Sequence, residues 1–133
     1  MSVVIQPKGW PRPKGYAHGV LASGRLLAVA GQIGGKPPKM EVPRGFAAQF
    51  EQALTNFLAV VHAAGGRPED VISLTLYVTD QRQYHAARDA VGAAWQARFG
   101  THYPAMALLE VKGLIDAEAV VEIQGLAVIP DAS

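Results

Sequence analysis

The chain has 133 residues, enough for one domain with a buried core, and its 12 Lys plus Arg against 11 Asp plus Glu leave a formal charge of +1. That near-neutrality weighs against a protein built to hold phosphate backbones, so no nucleic-acid partner is expected. Cysteine is absent, which removes disulfides, thiolate nucleophiles and cysteine metal sites, and no apolar run reaches the length of a membrane span.

The first residues, Met1 to Pro7, lack the charged flank and apolar stretch of a secretory signal, so a soluble cytoplasmic protein is expected. Val3 to Gln6 is a candidate strand. Pro7, Gly9, Pro11, Pro13 and Gly15 then make a lead that can neither coil into a helix nor pair continuously, and it delivers Tyr16. Ala17–Ala22 and Arg25–Gly31 read as strands joined by a two-residue hairpin turn at Ser23-Gly24. A loop rich in Lys and Pro follows, from Gly34 to Gly45.

Phe46, Phe50, Ala53, Leu54, Phe57 and Val61 recur at three- and four-residue spacing and predict a helix from about Pro43 or Phe46 to Ala64, stopped by Gly65-Gly66. Val71 to Thr79 alternates cleanly, with Ile72, Leu74, Leu76 and Val78 expected on the core face. A second helix fits Gln83 to Phe99, closed by Gly100, and Arg88 falls within its apolar arc of Tyr84, Ala87, Val91, Ala94 and Trp95. Tyr103–Val111 and Val120–Ile129 are rich in aliphatic residues and read as two buried strands. Glu122 lies among the valines and isoleucines of the second, where an unpaired charge is costly. Strands and two helices in this order predict an α+β fold, a mixed β-sheet with both helices on one face, in a single domain over 1–133. His18, His62, His85 and His102 show no metal-ligand spacing, so no metal is expected. Half the residues are hydrophobic and only 17% charged, and self-association is one way to bury that excess.

The ordered set Gly15-Tyr16, Ala30-Gly31-Gln32-Ile33, Gln49 with Asn56, Ala63-Ala64-Gly65, Pro104-Ala105 and Val121-Glu122-Ile123 resembles the RidA (YjgF) family of reactive-intermediate deaminases, also labelled "endoribonuclease L-PSP". The resemblance covers about Tyr16 to Val128 and implies a chorismate-mutase-like α+β fold and a homotrimer. It also implies clefts between subunits that bind a small-molecule ligand, with 2-imino or 2-enamino acids hydrolysed there without metal or organic cofactor. By resemblance Tyr16 closes the cleft, the backbones of Ala30 and Gly31 line it, and Glu122 orients the attacking water. Leu108 stands where many deaminases have a cysteine used through its backbone. The position of the family's carboxylate-clamping arginine is Met106 here, and a thioether can neither donate a hydrogen bond nor balance a carboxylate. Losing such a clamp costs about 2–5 kcal/mol when the substrate presents a buried carboxylate. Activity on 2-iminopropionate is therefore expected to be weak or absent, and Arg88 is the candidate for a relocated cation. Two functions follow: hydrolysis of a different imine or enamine, or a non-catalytic protein that binds a small metabolite in the same cleft.

Overall fold

The structure, a computed structural model, describes residues 2–131. In chain order they form β1 (Ser2–Ile5), β2 (Gly19–Ala22), β3 (Arg25–Ile33), α1 (Phe46–Ala63), β4 (Val71–Val78), α2 (Gln81–Ala86), α3 (Arg88–Phe99), β5 (Ala105–Glu110) and β6 (Val121–Ile129), with a single 3-10 turn at Pro68–Asp70. Four strands make the main sheet in the order β3-β6-β4-β5. β6 runs antiparallel to both its neighbours, while β4 and β5 are parallel and joined by the helical crossover α2–α3. This is the expected α+β arrangement with a mixed sheet.

The apolar stripe of α1 explains the core. Phe50, Leu54, Phe57 and Val61 are fully buried against Leu74, Val121 and Ile123, so α1 lies across the middle of the sheet, and α3 packs beside it. Gly125 is needed chiefly for the pairing with β4, because an added Cβ there would run into the Ser73 carbonyl and stand 2.7 Å from the Leu74 side chain, with the Phe57 ring of α1 farther off at 3.2 Å. Gly65, at φ +86°, and Gly100, at φ +61°, stop α1 and α3 in the left-handed region that favours glycine.

Several expectations need correction. Ser23-Gly24 does not close a hairpin, because β2 pairs with β1 in a separate two-stranded sheet whereas β3 pairs with β6. In β4 a register shift between Val71 and Ser73 turns Val71 into the core and leaves Ile72 half-buried. The second helix is broken at Ala87, whose N–H reaches the carbonyls of both Gln83 and Tyr84 at 3.1 Å, and neither glycine nor proline marks that break. It also begins earlier than expected, because the Asp80 carboxylate accepts the Arg82 N–H at 2.9 Å and caps the first turn. Finally, β5 is not a buried strand. It is the sheet edge, with Leu108 and Leu109 38% and 45% exposed.

Candidate functional site

Strand alternation removes the misfit that Glu122 presents in the sequence. Val121, Ile123 and Ala127 of β6 point into the core, so Glu122 and Gln124 belong to the opposite, helix-free face of the sheet. Glu122 is half-buried there, opposite Ile33 on one side and Tyr77 on the other. It makes no ion pair among the described residues, and neither does Arg88, so the two are not each other's structural partner.

The β3–β6 ladder is interrupted where Ala30 and Gly31 together oppose Gln124, with regular pairing at Val29–Gly125 and Gln32–Ile123. Such a bulge leaves the extra residue's backbone outside the ladder, available to something other than β6. Gly31 lies under the Glu122 side chain: an added Cβ would run into the carboxylate and stand 3.1 Å from its Cγ. The bulge and the carboxylate thus make one small polar feature, in which backbone groups and an acceptor for a water or a proton sit side by side.

Tyr16, Arg88, Met106 and Leu108 come together elsewhere. The Tyr16 segment is docked by the Ala17 N–H donating to the Pro104 carbonyl at 3.0 Å and by a parallel bridge from Ala17 to Ala105. Pro104-Ala105 is therefore an anchor for the tyrosine. Met106 and Leu108 pair with Leu74 and Leu76 and share their helix-side face. Between that edge and α3 runs a cleft of about 590 Å³, with Phe50, Leu76, Tyr84 and Trp95 in its walls and Arg88 and Lys14 as its cations. Within one chain, then, the residues form two groups: Ala30, Gly31 and Glu122 on the open face, and Tyr16, Arg88, Met106 and Leu108 around the cleft.

Two polar residues of α1, Gln49 and Asn56, serve this architecture in a way their sequence positions do not announce. Both are almost wholly buried. Asn56 donates to the carbonyls of Ile33 and Gly35 at 3.1 and 2.7 Å and accepts from Gln52 at 2.9 Å. Gln49 donates to the carbonyls of Pro43 and Glu118 at 2.9 and 3.0 Å and accepts from the Val120 N–H at 2.8 Å. The first set fixes the chain leaving the bulge; the second fixes the chain entering β6 just before Glu122. They belong to the motif set that carries the family resemblance, and their seven-residue spacing puts both on the buried stripe of α1. Lys14 carries no comparable signal.

Among the described residues no three His, Asp or Glu side chains are grouped to hold a metal ion, and no helix is long and apolar enough to cross a membrane.

A four-stranded mixed sheet, helices on one face and a carboxylate against a bulge on the other define a small α+β domain of the Rid type. The family model described as Endoribonuclease L-PSP matches residues 11–129. The 2-iminobutanoate/2-iminopropanoate deaminase of Escherichia coli K12 is 34% identical over 132 residues, covering 96% of this chain and 98% of that protein. A RutC family protein of Pyrococcus horikoshii is 33% identical over 128 residues at the same coverage. Among solved structures, a conserved Rid-family protein of unknown function from Yersinia pestis superposes with a TM-score of 0.83 at 31% identity, covering 96% of this chain and 98% of that one. E. coli TdcF, solved with bound serine, gives 0.71 at 27% identity, covering 95% and 98%. The chain belongs to the endoribonuclease L-PSP family, the RidA/YjgF proteins.

Proposed function

We propose that this protein hydrolyses an imine or enamine of a small carboxylic acid to the corresponding keto acid and ammonia, in a cleft completed by a second copy of the chain. Water adds to the C=N carbon, the carbinolamine collapses with loss of ammonia, and no metal or organic cofactor takes part. Glu122 holds and orients the water and relays its proton to the leaving nitrogen, while the backbone of the Ala30–Gly31 bulge fixes the ligand. The observation that carries this reading is the half-buried Glu122 carboxylate seated against Gly31, at a position where no larger residue fits without moving it.

The two residue groups lie on opposite faces of one sheet, so a site using both needs the open face of one protomer against the β5 edge of the next. Apolar side chains are exposed on both surfaces: Leu26 and Leu126 near the first, Leu108 and Leu109 on the second. A closed ring of three copies satisfies that head-to-tail contact, and this homotrimer, in the cytoplasm, is the assembly we propose. The deaminase name of the E. coli relative supports the reaction class. Met106 argues for a substrate other than 2-iminopropionate.

The test uses an amino-acid oxidase to generate 2-imino acids in the presence of semicarbazide, which traps whatever the protein has not hydrolysed. Faster loss of a large apolar imine than of 2-iminopropionate is expected, and Glu122→Gln should abolish the acceleration. Undiminished turnover in that variant would rule out this role for Glu122.

The apolar lining around Met106 favours one other reading, a non-catalytic protein that binds a metabolite. The serine bound to E. coli TdcF is consistent with such use of the fold. Ligand-dependent stabilisation with no keto acid released from any imine tested would select it.

A further inference from the structure

Four features of the α3–β5 cleft bear on what it binds. Its volume, about 590 Å³, lies within the ordinary range for small-molecule pockets, about 300–1,000 Å³. Its walls are aromatic and aliphatic: Phe50 and Leu76 are buried floor, Trp95 stacks on Phe99 at 4.0 Å and on Tyr103 at 5.8 Å, and Met106 and Leu108 line the strand side. Arg88 and Lys14 lie on its exposed rim, and no acidic residue lines it. The guanidinium of Arg88 has no ion-pair partner among the described residues, a state it shares with Arg12 and Arg44, neither of which lines the cleft.

We infer that this cleft binds monocarboxylates with a large apolar or aromatic side chain, the ring among Trp95, Tyr84 and Met106 and the carboxylate paired with Arg88 at the rim. Charge complementarity and the apolar floor call for one amphipathic ligand: a small acid such as propanoate leaves the floor unfilled, and an uncharged aromatic leaves the guanidinium unpaired. The thioether follows from this arrangement. An arginine at position 106 would put a charge among the aromatic walls, where it would need a carboxylate deep in the cleft, whereas Met106 moves the anion to the rim and opens the interior to carbon. The inference rests on the imine-hydrolase reading only in naming its substrate class, the 2-imino acids of large apolar amino acids, and it is tested by binding alone.

The experiment is calorimetric titration of the intact protein with 3-phenylpropanoate, propanoate and 3-phenylpropan-1-ol. Saturable binding of 3-phenylpropanoate is expected, with propanoate weaker by about a hundredfold for the loss of the buried ring. Arg88→Gln, at an exposed position that leaves the core untouched, should weaken 3-phenylpropanoate about tenfold and leave the alcohol unchanged. Absence of saturable 3-phenylpropanoate binding at millimolar concentration overturns the inference. So does equal affinity in the wild type and Arg88→Gln, or propanoate binding as tightly as the aromatic acid. Imine turnover without aromatic-acid binding overturns this assignment and leaves the role of Glu122 intact. Aromatic-acid binding that depends on Arg88, with no turnover of any imine, upholds the assignment and removes the hydrolase.

Discussion

In a Gly31→Ala variant the new methyl group meets the Glu122 carboxylate. A Cβ at that position would lie 2.8 Å from the Glu122 Cδ and 3.1 Å from its Cγ, with the nearer carboxylate oxygen closer still. The carboxylate therefore has to retreat by about 1 Å, and a displacement of that size in a positioned group costs roughly a hundredfold in rate, about 2.7 kcal/mol. The fold should absorb the change. The obstacle is the end of a flexible side chain, Gly31 is exposed, and its backbone lies outside the left-handed region, so the stability change stays within about 1 kcal/mol. Gly34→Ala is the control. There an added Cβ would stand 2.7 Å from the Cα of Gln49 and 2.5 Å from its carbonyl oxygen, backbone atoms of α1 that cannot step aside. Overpacking of that kind costs about 1–3 kcal/mol. Imine hydrolysis and thermal unfolding should be measured on both variants. The expected pattern is Gly31→Ala inactive but stable, and Gly34→Ala destabilised. Full activity in Gly31→Ala, or an equal loss of Tm in the two, would refute the reasoning.

Met106→Arg should raise turnover of 2-iminopropionate at least about tenfold, by restoring a cation to the β5 edge, and weaken 3-phenylpropanoate; steady-state kinetics and calorimetry read the two effects. Asn56→Ala leaves the carbonyls of Ile33 and Gly35 without their donor. A loss of about 2–4 kcal/mol and a fall in Tm of roughly 10 °C are expected by circular dichroism. Hydrogen bonds from the Arg82 side chain and backbone hold the Asp80 carboxyl below its ordinary value of 3.8. Because the folded-state pKa is depressed, the cap is fully effective above that value and fades as pH falls through the folded pKa. Amide-exchange protection of α2 should therefore drop in acid before that of α1 does.

The sequence carried the local periods faithfully and the long-range pairings poorly. The stripe from Phe46 to Val61 and the stops at Gly65 and Gly100 are properties of short segments, and the structure reproduces them. Which strand lies beside which is settled by distant residues. Hence Ser23-Gly24, a good turn dipeptide, joins strands of two different sheets. The aliphatic run of β5 gave no sign that it forms an edge, since burial depends on what covers a strand as well as on what composes it. Glu122 looked anomalous only because its neighbours in sequence were taken for its neighbours in space; a period of two separates them. Of the residues assigned to a site, Tyr16, Arg88, Met106 and Leu108 share a cleft. Ala30, Gly31 and Glu122 form the other cluster. No reading of one chain's sequence could have revealed that split.

The side chains of Gln49 and Asn56 tie the approach to Glu122 and the exit from the bulge to a single helix, one that forms the centre of the apolar interior. The Glu122 carboxylate and the Ala30–Gly31 bulge are thereby held by the same helix that holds the core. Warming the protein should therefore not produce an intermediate range in which the body is intact and the chemistry already lost: both should vanish over the same few degrees, and a variant that melts earlier should fail earlier by the same interval.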